Sequence, residues 1–280
     1  MQAVSGAARA RLRRSPTLRR VVVNRRHRGI EEADRFVASY PRSGSTWLRF
    51  LLGELLTGAP VDFQELERVS PSVGLHAQGA RLLRGGGRLI KTHESWRPEY
   101  RRGVYVVRDV RDVVVSWYRI TRTDPDRLAG FDDFVADFAT GRSNGYGRWE
   151  DHVRAWTDAA ARQPGIEVFH YEELARDPVA GVAAVSRALG IETDDASIRR
   201  ALQDNTRPRM VELSMRDGEF LRRSFGHVGT GSAHEEATDW TSVLGERHLT
   251  MLAPAAEVMR GLGYGWGDPA RRASPSPARS

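Results

Sequence analysis

Residues 39–56 read SYPRSGSTWLRFLLGELL. A short apolar stretch, RFVASY, runs into Pro-Arg-Ser-Gly-Ser-Thr, and a helical pattern begins at once with Trp47, Leu48, Phe50, Leu51 and Leu52. Strand, tight loop and helix in that order predict a phosphate-binding loop with a part missing. A nucleoside-triphosphatase loop reads G-x-x-x-x-G-K-[ST], whereas here there is one Gly, and Ser45 stands where the Lys belongs. Pro41 ends the strand, Gly44 permits a positive φ, and Ser45 and Thr46 are expected to cap the helix with their hydroxyls. The unpaired N–H groups of the first helical turn then face the loop, and the helix dipole favours an anion there. Arg42 adds a fixed charge and a forked donor.

Working outward, the same alternation continues. RLIKTH, GVYVVRD and GIEVFHYEEL read as further strands, and VRDVVVSWYRIT as a helix. DPVAGVAAVSRALG reads as a helix with Asp177 as N-cap, Pro178 in the first turn and Gly190 as C-cap. The segment from Phe131 to Trp156 has helical aromatic spacing and is expected as core over the sheet edge. Strand–helix alternation predicts a single P-loop-like α/β domain, a central parallel sheet flanked by helices, with its ligand beyond the strands' carboxyl ends.

Composition bounds the chemistry. The 280 residues suffice for one large domain, and none is Cys, which excludes disulfides, thiolate metal sites and cysteine nucleophiles and fits a reducing cytoplasm. No run approaches eighteen apolar residues, so no transmembrane helix is expected. Of the 43 basic residues only Lys91 is a lysine. The first thirty residues hold nine arginines and no acid, so against the chain's +7 the rest carries −2. Residues 1–30 are therefore expected as a disordered or loosely helical solvated extension, residues 31–267 as the domain, and the Pro/Ser-rich residues 268–280 as a disordered tail.

Two further stretches carry chemistry. In RDVRDVVVSWYR, Arg108 closes a strand and Ser116 lies about two helical turns on, so both can reach a second phosphate beside the loop. In LIKTHES, the period of two puts Lys91 and His93 on one side of a strand and Glu94 on the other. A cation and an imidazole suit group transfer onto a hydroxyl.

Together, YPRSGSTW, KTH, RDVRDVVVSWY, YGRWEDHVRAW, YEELARDP and FLRRSFGHVG resemble, in their order, sulfotransferases that use 3′-phosphoadenosine 5′-phosphosulfate (PAPS), of a bacterial type similar to the cytosolic enzymes. The resemblance covers residues 35–266. It implies that Arg42, Ser43, Gly44, Ser45 and Thr46 cradle the 5′-phosphosulfate and that Trp47 stacks on adenine. Arg108 and Ser116 would hold the 3′-phosphate, Tyr171 would touch the adenine edge, and Arg222 or Arg223, with Gly226, would close over the 3′-phosphate. Lys91 and Arg42 would stabilise the leaving phosphate, with His93 or Glu94 as the base. A pH–rate limb near about 4 to 5 rather than 6 to 7 would point to Glu94. The family commonly has Lys where Arg42 stands, and its late Arg-Lys-Gly is broken here by Ser224. No metal is expected. The implied partner is a small-molecule, natural-product or glycan acceptor, with no specific nucleic acid, in the cytoplasm. The alternatives are a P-loop kinase or nucleotidase and, from another class, a module binding nucleic acid or a membrane surface through its arginine arm. Removing residues 1–30 is expected to spare the enzyme and abolish the module.

Overall fold

The computed structural model describes residues 16–121, 130–218, 220 and 239–266. Its centre is a four-stranded, all-parallel sheet in the order β2-β1-β3-β4, formed by β1 (Arg35–Ser39), β2 (Leu89–Thr92), β3 (Gly103–Val107) and β4 (Ile166–His170). The expected α/β class and parallel sheet are what the chain forms. Side chains of period two divide between the two faces. Phe36, Ala38, Ile90, Tyr105 and Val107 join one buried cluster, while Val37, Leu89, Val104 and Val106 join the other.

Helices cover both faces, as a parallel sheet requires. On the second face lie α2 (Ser45–Thr57), α7 (Tyr171–Arg176), α8 (Pro178–Leu189) and α9 (Asp195–Asp204), contributing Leu48, Leu51, Leu52, Leu174, Val182, Val185 and Ile198. On the first lie α4 (Val110–Thr121), α5 (Phe131–Ala139), α6 (Trp149–Arg162), α11 (Glu246–Met251) and α12 (Ala256–Gly261), with Phe134, Phe138, Trp149 and Trp156 buried as the aromatic spacing predicted. The helices α3 (Phe63–Val69) and α10 (Arg207–Arg216) close a small third cluster around Phe50 and Phe63.

Helix α8 is built as its sequence predicts: Asp177 accepts from the Ala180 amide at 3.1 Å, Pro178 occupies the first turn, and Gly190 ends the helix at φ +70°. GIEVFHYEEL differs from the reading above. The strand stops at His170, and Tyr171 opens α7 with Glu172 and Glu173 in its first turn, where the helix dipole favours carboxylates.

In the arm, residues Pro16–Arg26 form α1. Its end is seated on the body: His27 bonds the Tyr100 hydroxyl, Arg97 Nη2 donates to Asn24 Oδ1 at 2.9 Å, and Arg26 Nη2 donates to the Val73 carbonyl at 3.0 Å. Among the described residues no helix is long and apolar enough to cross a membrane.

Candidate active site

The register brings every strand end to one edge: Ala38 pairs with Thr92, Ser39 with Val106, and Val107 with His170. The loop after β1, the His93–Glu94 turn after β2, Arg108 after β3 and Tyr171 after β4 therefore converge, and ligands of open α/β sheets bind at that carboxyl edge.

The loop itself makes two left-handed turns, at Arg42 (φ +75°) and Gly44 (φ +88°). Such a φ costs a non-Gly residue roughly 1–2 kcal/mol, and strain of this kind collects at functional loops. Gly44 is required twice over, because a Cβ there would fall 2.4 Å from Tyr171 Cδ2. Gly44 is also the N-cap of α2, with no side-chain capping bond. The expected capping by Ser45 or Thr46 is thus not made: both residues have already entered the first turn. The helix's first bond runs from Leu48 N to Gly44 O, and the amides of Ser45, Thr46 and Trp47 precede it, the donors an α-helix cannot satisfy itself. Ser43 is fully buried, and its Oγ has no partner, nor does Arg108 Nε. Buried orphan donors beside a helix N-terminus suit a polyanion.

Arg42 bridges the two groups of residues that the resemblance assigns to separate phosphates. Its Nε donates to Ser116 Oγ at 3.2 Å, and Arg108 Nη1 donates to the Arg42 carbonyl at 3.2 Å. Burial first, then the neighbouring Arg108 charge, lowers the Arg42 guanidinium to about 9, so a bound anion would relieve repulsion. Arg108 also lies 4.6 Å over the Tyr171 ring. Trp47 packs half-buried between the second cluster and the third. Arg222, Arg223 and Gly226 lie outside the described residues.

On β2, Lys91 is drawn down to about 7 by desolvation and by Arg49, with Glu67 opposing. His93 is not in the strand, which ends at Thr92; it sits in the following turn, where its Nδ1 lies 2.8 Å from the Ser39 carbonyl. A carbonyl only accepts, so Nδ1 carries the hydrogen and Nε2 keeps its lone pair. Desolvation, then the Lys91 charge, holds this imidazole well below 6.5. Glu94 is paired with a cation: its carboxylate is 3.7 Å from Arg26 Nη1.

YGRWEDHVRAW contributes to the resemblance without an implied task for its side chains. The structure gives them one. His152 Nε2 bonds the His93 carbonyl at 3.0 Å, while its Nδ1 meets the Tyr105 hydroxyl at 2.9 Å, and Trp156 Nε1 donates to the Glu94 carbonyl at 3.1 Å. Burial lowers His152 to about 4, keeping it neutral. Tyr146 lies edge-on to His93, 5.7 Å between ring centres. The i, i+4 spacing of His152 and Trp156 on one helix face was the available signal. Among the described residues no group of three or more His, Cys, Asp or Glu could hold a metal.

Fold and site together define a P-loop-like α/β protein whose carboxyl edge gathers unpaired donors and arginines beside a neutral imidazole. Residues 32–251 match the sulfotransferase domain family. Sulfotransferase 1B1 of Mus musculus is 25% identical over 198 residues, 64% of this chain and 66% of that protein. Sulfotransferase 1A1 of Canis lupus familiaris is 27% identical over 206 residues, 65% and 67% of the two chains. Both alignments thus span about two-thirds of the relatives' length. Among solved structures, mouse sulfotransferase SULT7A1 complexed with PAP superposes with TM-score 0.60 at 22% identity, over 82% of this chain and 84% of that one. A retinol dehydratase in complex with retinol and PAP gives 0.61 at 19% identity, over 85% and 83%. The chain belongs to the sulfotransferase domain family.

Proposed function

We propose that this protein transfers a sulfuryl group from PAPS to a hydroxyl of a small-molecule acceptor. The observation that carries the reading is the pairing of an anion-binding loop rich in unsatisfied donors with His93, whose free nitrogen is the basic one. In the step, the acceptor oxygen forms a bond to sulfur as the bond from sulfur to the bridging oxygen breaks. The acceptor proton passes to His93 Nε2, and the electron pair stays on the 5′-phosphate oxygen, where Lys91, Arg42 and the loop amides stabilise it. Arg108 and Ser116 hold the 3′-phosphate, and Tyr171 and Trp47 flank the adenine. This chemistry uses no metal.

Family membership supports this reading over phosphoryl transfer and over an arm-based binding module. Solved relatives of this fold carry PAP, the desulfonated product. The cytoplasm is the proposed location, supported by likeness to proteins such as cytosolic sulfotransferase 1 of Danio rerio. A natural product or other small molecule is the proposed acceptor class. We place the domain at residues 31–267, with α1 seated against it.

A thermal-shift comparison tests the donor site. Saturating PAP should raise Tm by several degrees, since a ligand at about a hundredfold over its Kd adds about 2.7 kcal/mol, while ATP with magnesium should do much less. A larger shift with ATP would return the chain to the kinase class. A ³⁵S-labelled donor with a panel of phenols, alcohols and sugars would then identify the acceptor.

A further inference from the structure

Arg49 is out of place by composition. It stands in the apolar run Leu48, Phe50, Leu51 and Leu52 at the middle of α2, yet its own side chain is only 6% exposed. Its Nη2 donates to Glu67 Oε1 at 2.6 Å and to the Ser70 carbonyl, and its Nε to Ser70 Oγ at 3.3 Å. Glu67, on α3 and 11% exposed, accepts in turn from the Ser72 amide at 3.1 Å and the Ser72 hydroxyl at 3.4 Å. Ser72 forms a parallel bridge with Lys91, flanked by Lys91 N to Pro71 O at 2.8 Å and Val73 N to Lys91 O at 2.9 Å. One continuous path runs from the helix that opens at the loop, through α3, to the backbone of Lys91.

A buried ion pair is a poor clamp for its own sake, because apolar side chains of similar volume would join α2 to α3 at least as well. What the pair supplies and leucines would not is a field at the ammonium. The charged groups facing Lys91 are Arg49 from α2, Glu67 from α3, Arg26 from α1 and Glu94 from the following turn, with His93 alongside. We propose that Arg49 and Glu67 are positioning residues for Lys91, which anchor the segment paired to its strand and face its ammonium with opposite charges. The proposal rests on the sulfuryl-transfer reading, in which Lys91 meets the donor as a cation.

Binding of PAP over pH 5.5 to 8, below the Arg42 midpoint of about 9, followed by calorimetry on the full chain, tests it without needing an acceptor. Protonated Lys91 favours the anion, so affinity should fall above the Lys91 midpoint, which burial and Arg49 place at about 7. Glu67→Gln removes the larger of the two carboxylate influences that raise that midpoint and should move the fall to lower pH by about one unit, a further loss of about tenfold at pH 8 relative to each protein's own plateau. Arg49→Gln removes a cation and should move it to higher pH by a similar amount. Opposite displacements are not what two merely structural lesions produce. Lys91→Met should abolish the fall, and Arg49→Lys, which keeps the charge, should leave it in place. Should Glu67→Gln fail to fold, Glu67→Asp draws the carboxylate back and should move the fall the same way by less. A fall that persists in Lys91→Met, or that moves in the same direction or not at all in the other two, overturns the proposal. Absence of PAP binding by the wild-type chain at any pH overturns the sulfuryl-transfer reading instead.

Discussion

His93 is useful because of what its other nitrogen does. With Nδ1 held on the Ser39 carbonyl at 2.8 Å, the ring is fixed in one tautomer and aims a lone pair from Nε2. Desolvation and the Lys91 charge hold it well below its ordinary value, so it is neutral at pH 7 and needs no prior deprotonation. His93→Ala should therefore lower kcat by about 10²- to 10⁴-fold while PAP affinity, measured by calorimetry, stays within about threefold. Glu94→Gln should cost less than about tenfold, since that carboxylate is turned toward Arg26. Loss of PAP binding in His93→Ala, or a larger effect at Glu94 than at His93, would reverse the assignment. The pH–rate limb, which on ordinary values would distinguish a carboxylate from an imidazole, loses that power here, because burial and the Lys91 charge hold the imidazole well below its ordinary value.

At the scale of elements, α1 is where charge counting and structure part. Nine arginines without an acid read as a solvated arm, and Val21 and Val22 are indeed exposed. Yet Arg26 reaches Glu94, and buried His27 holds the Tyr100 hydroxyl, which lies 3.2 Å from Thr92 Oγ1, itself the acceptor for the Glu94 amide. A cut after residue 15 leaves this chain of bonds whole, and a cut after residue 30 removes its origin. The first truncation should keep kcat within about twofold. The second should lower Tm by a few degrees, since it removes the buried His27–Tyr100 bond and the Arg26 contacts, each net hydrogen bond being worth about 0.5–1.5 kcal/mol, and should reduce kcat as the turn loosens. Equal behaviour of the two truncations in melting and turnover assays would make α1 an ornament. The expectation that removing residues 1–30 spares activity is set against the bonds that Arg26 and His27 make to the body, and these two truncations decide it. The same contrast explains what the sequence disclosed. The strand–loop–helix around Gly44 and the caps of α8 were legible, because φ, capping and dipole preferences act within a few residues. Helix α6 announced its buried face but not its task, because the bond from His152 to the His93 carbonyl spans 59 positions and periodicity reports a face, not a partner. Glu94 and Arg26 were illegible for the same reason, and α7 was misread because the alternation of IEVFHY does not show where a strand stops.

The molecule as a whole carries an unusual set of imidazoles. His27, His76 and His152 are buried, His93 and His170 are half-buried, and in all five desolvation is the largest influence and lowers the group below 6.5. Depressed imidazoles give stability that is fully present above the unfolded value. Below 6.5 the unfolded chain takes up protons that the folded chain refuses, so stability falls with falling pH until each folded value is reached. For His152, lowered to about 4, that decline continues over more than two pH units at up to about 1.4 kcal/mol per unit. Three carboxyls work the other way: burial raises Glu54, Glu150 and Glu172 from 4.5, so protonating them favours the fold as pH drops. Their contribution enters as pH falls through their raised folded values and is complete below 4.5, and with five imidazoles set against three carboxyls the imidazoles decide the sign between pH 6.5 and 5. Calorimetric melts of the ligand-free chain should show Tm decreasing through that window, each kcal/mol lost corresponding to roughly 2–4 °C for a chain of this size. His76→Gln, a site away from the carboxyl edge, should flatten the slope by up to one proton's worth. A Tm that holds steady or climbs between pH 6.5 and 5 would mean the imidazoles are charged in the fold, and would remove with it the neutral His93 on which the proposed proton transfer depends.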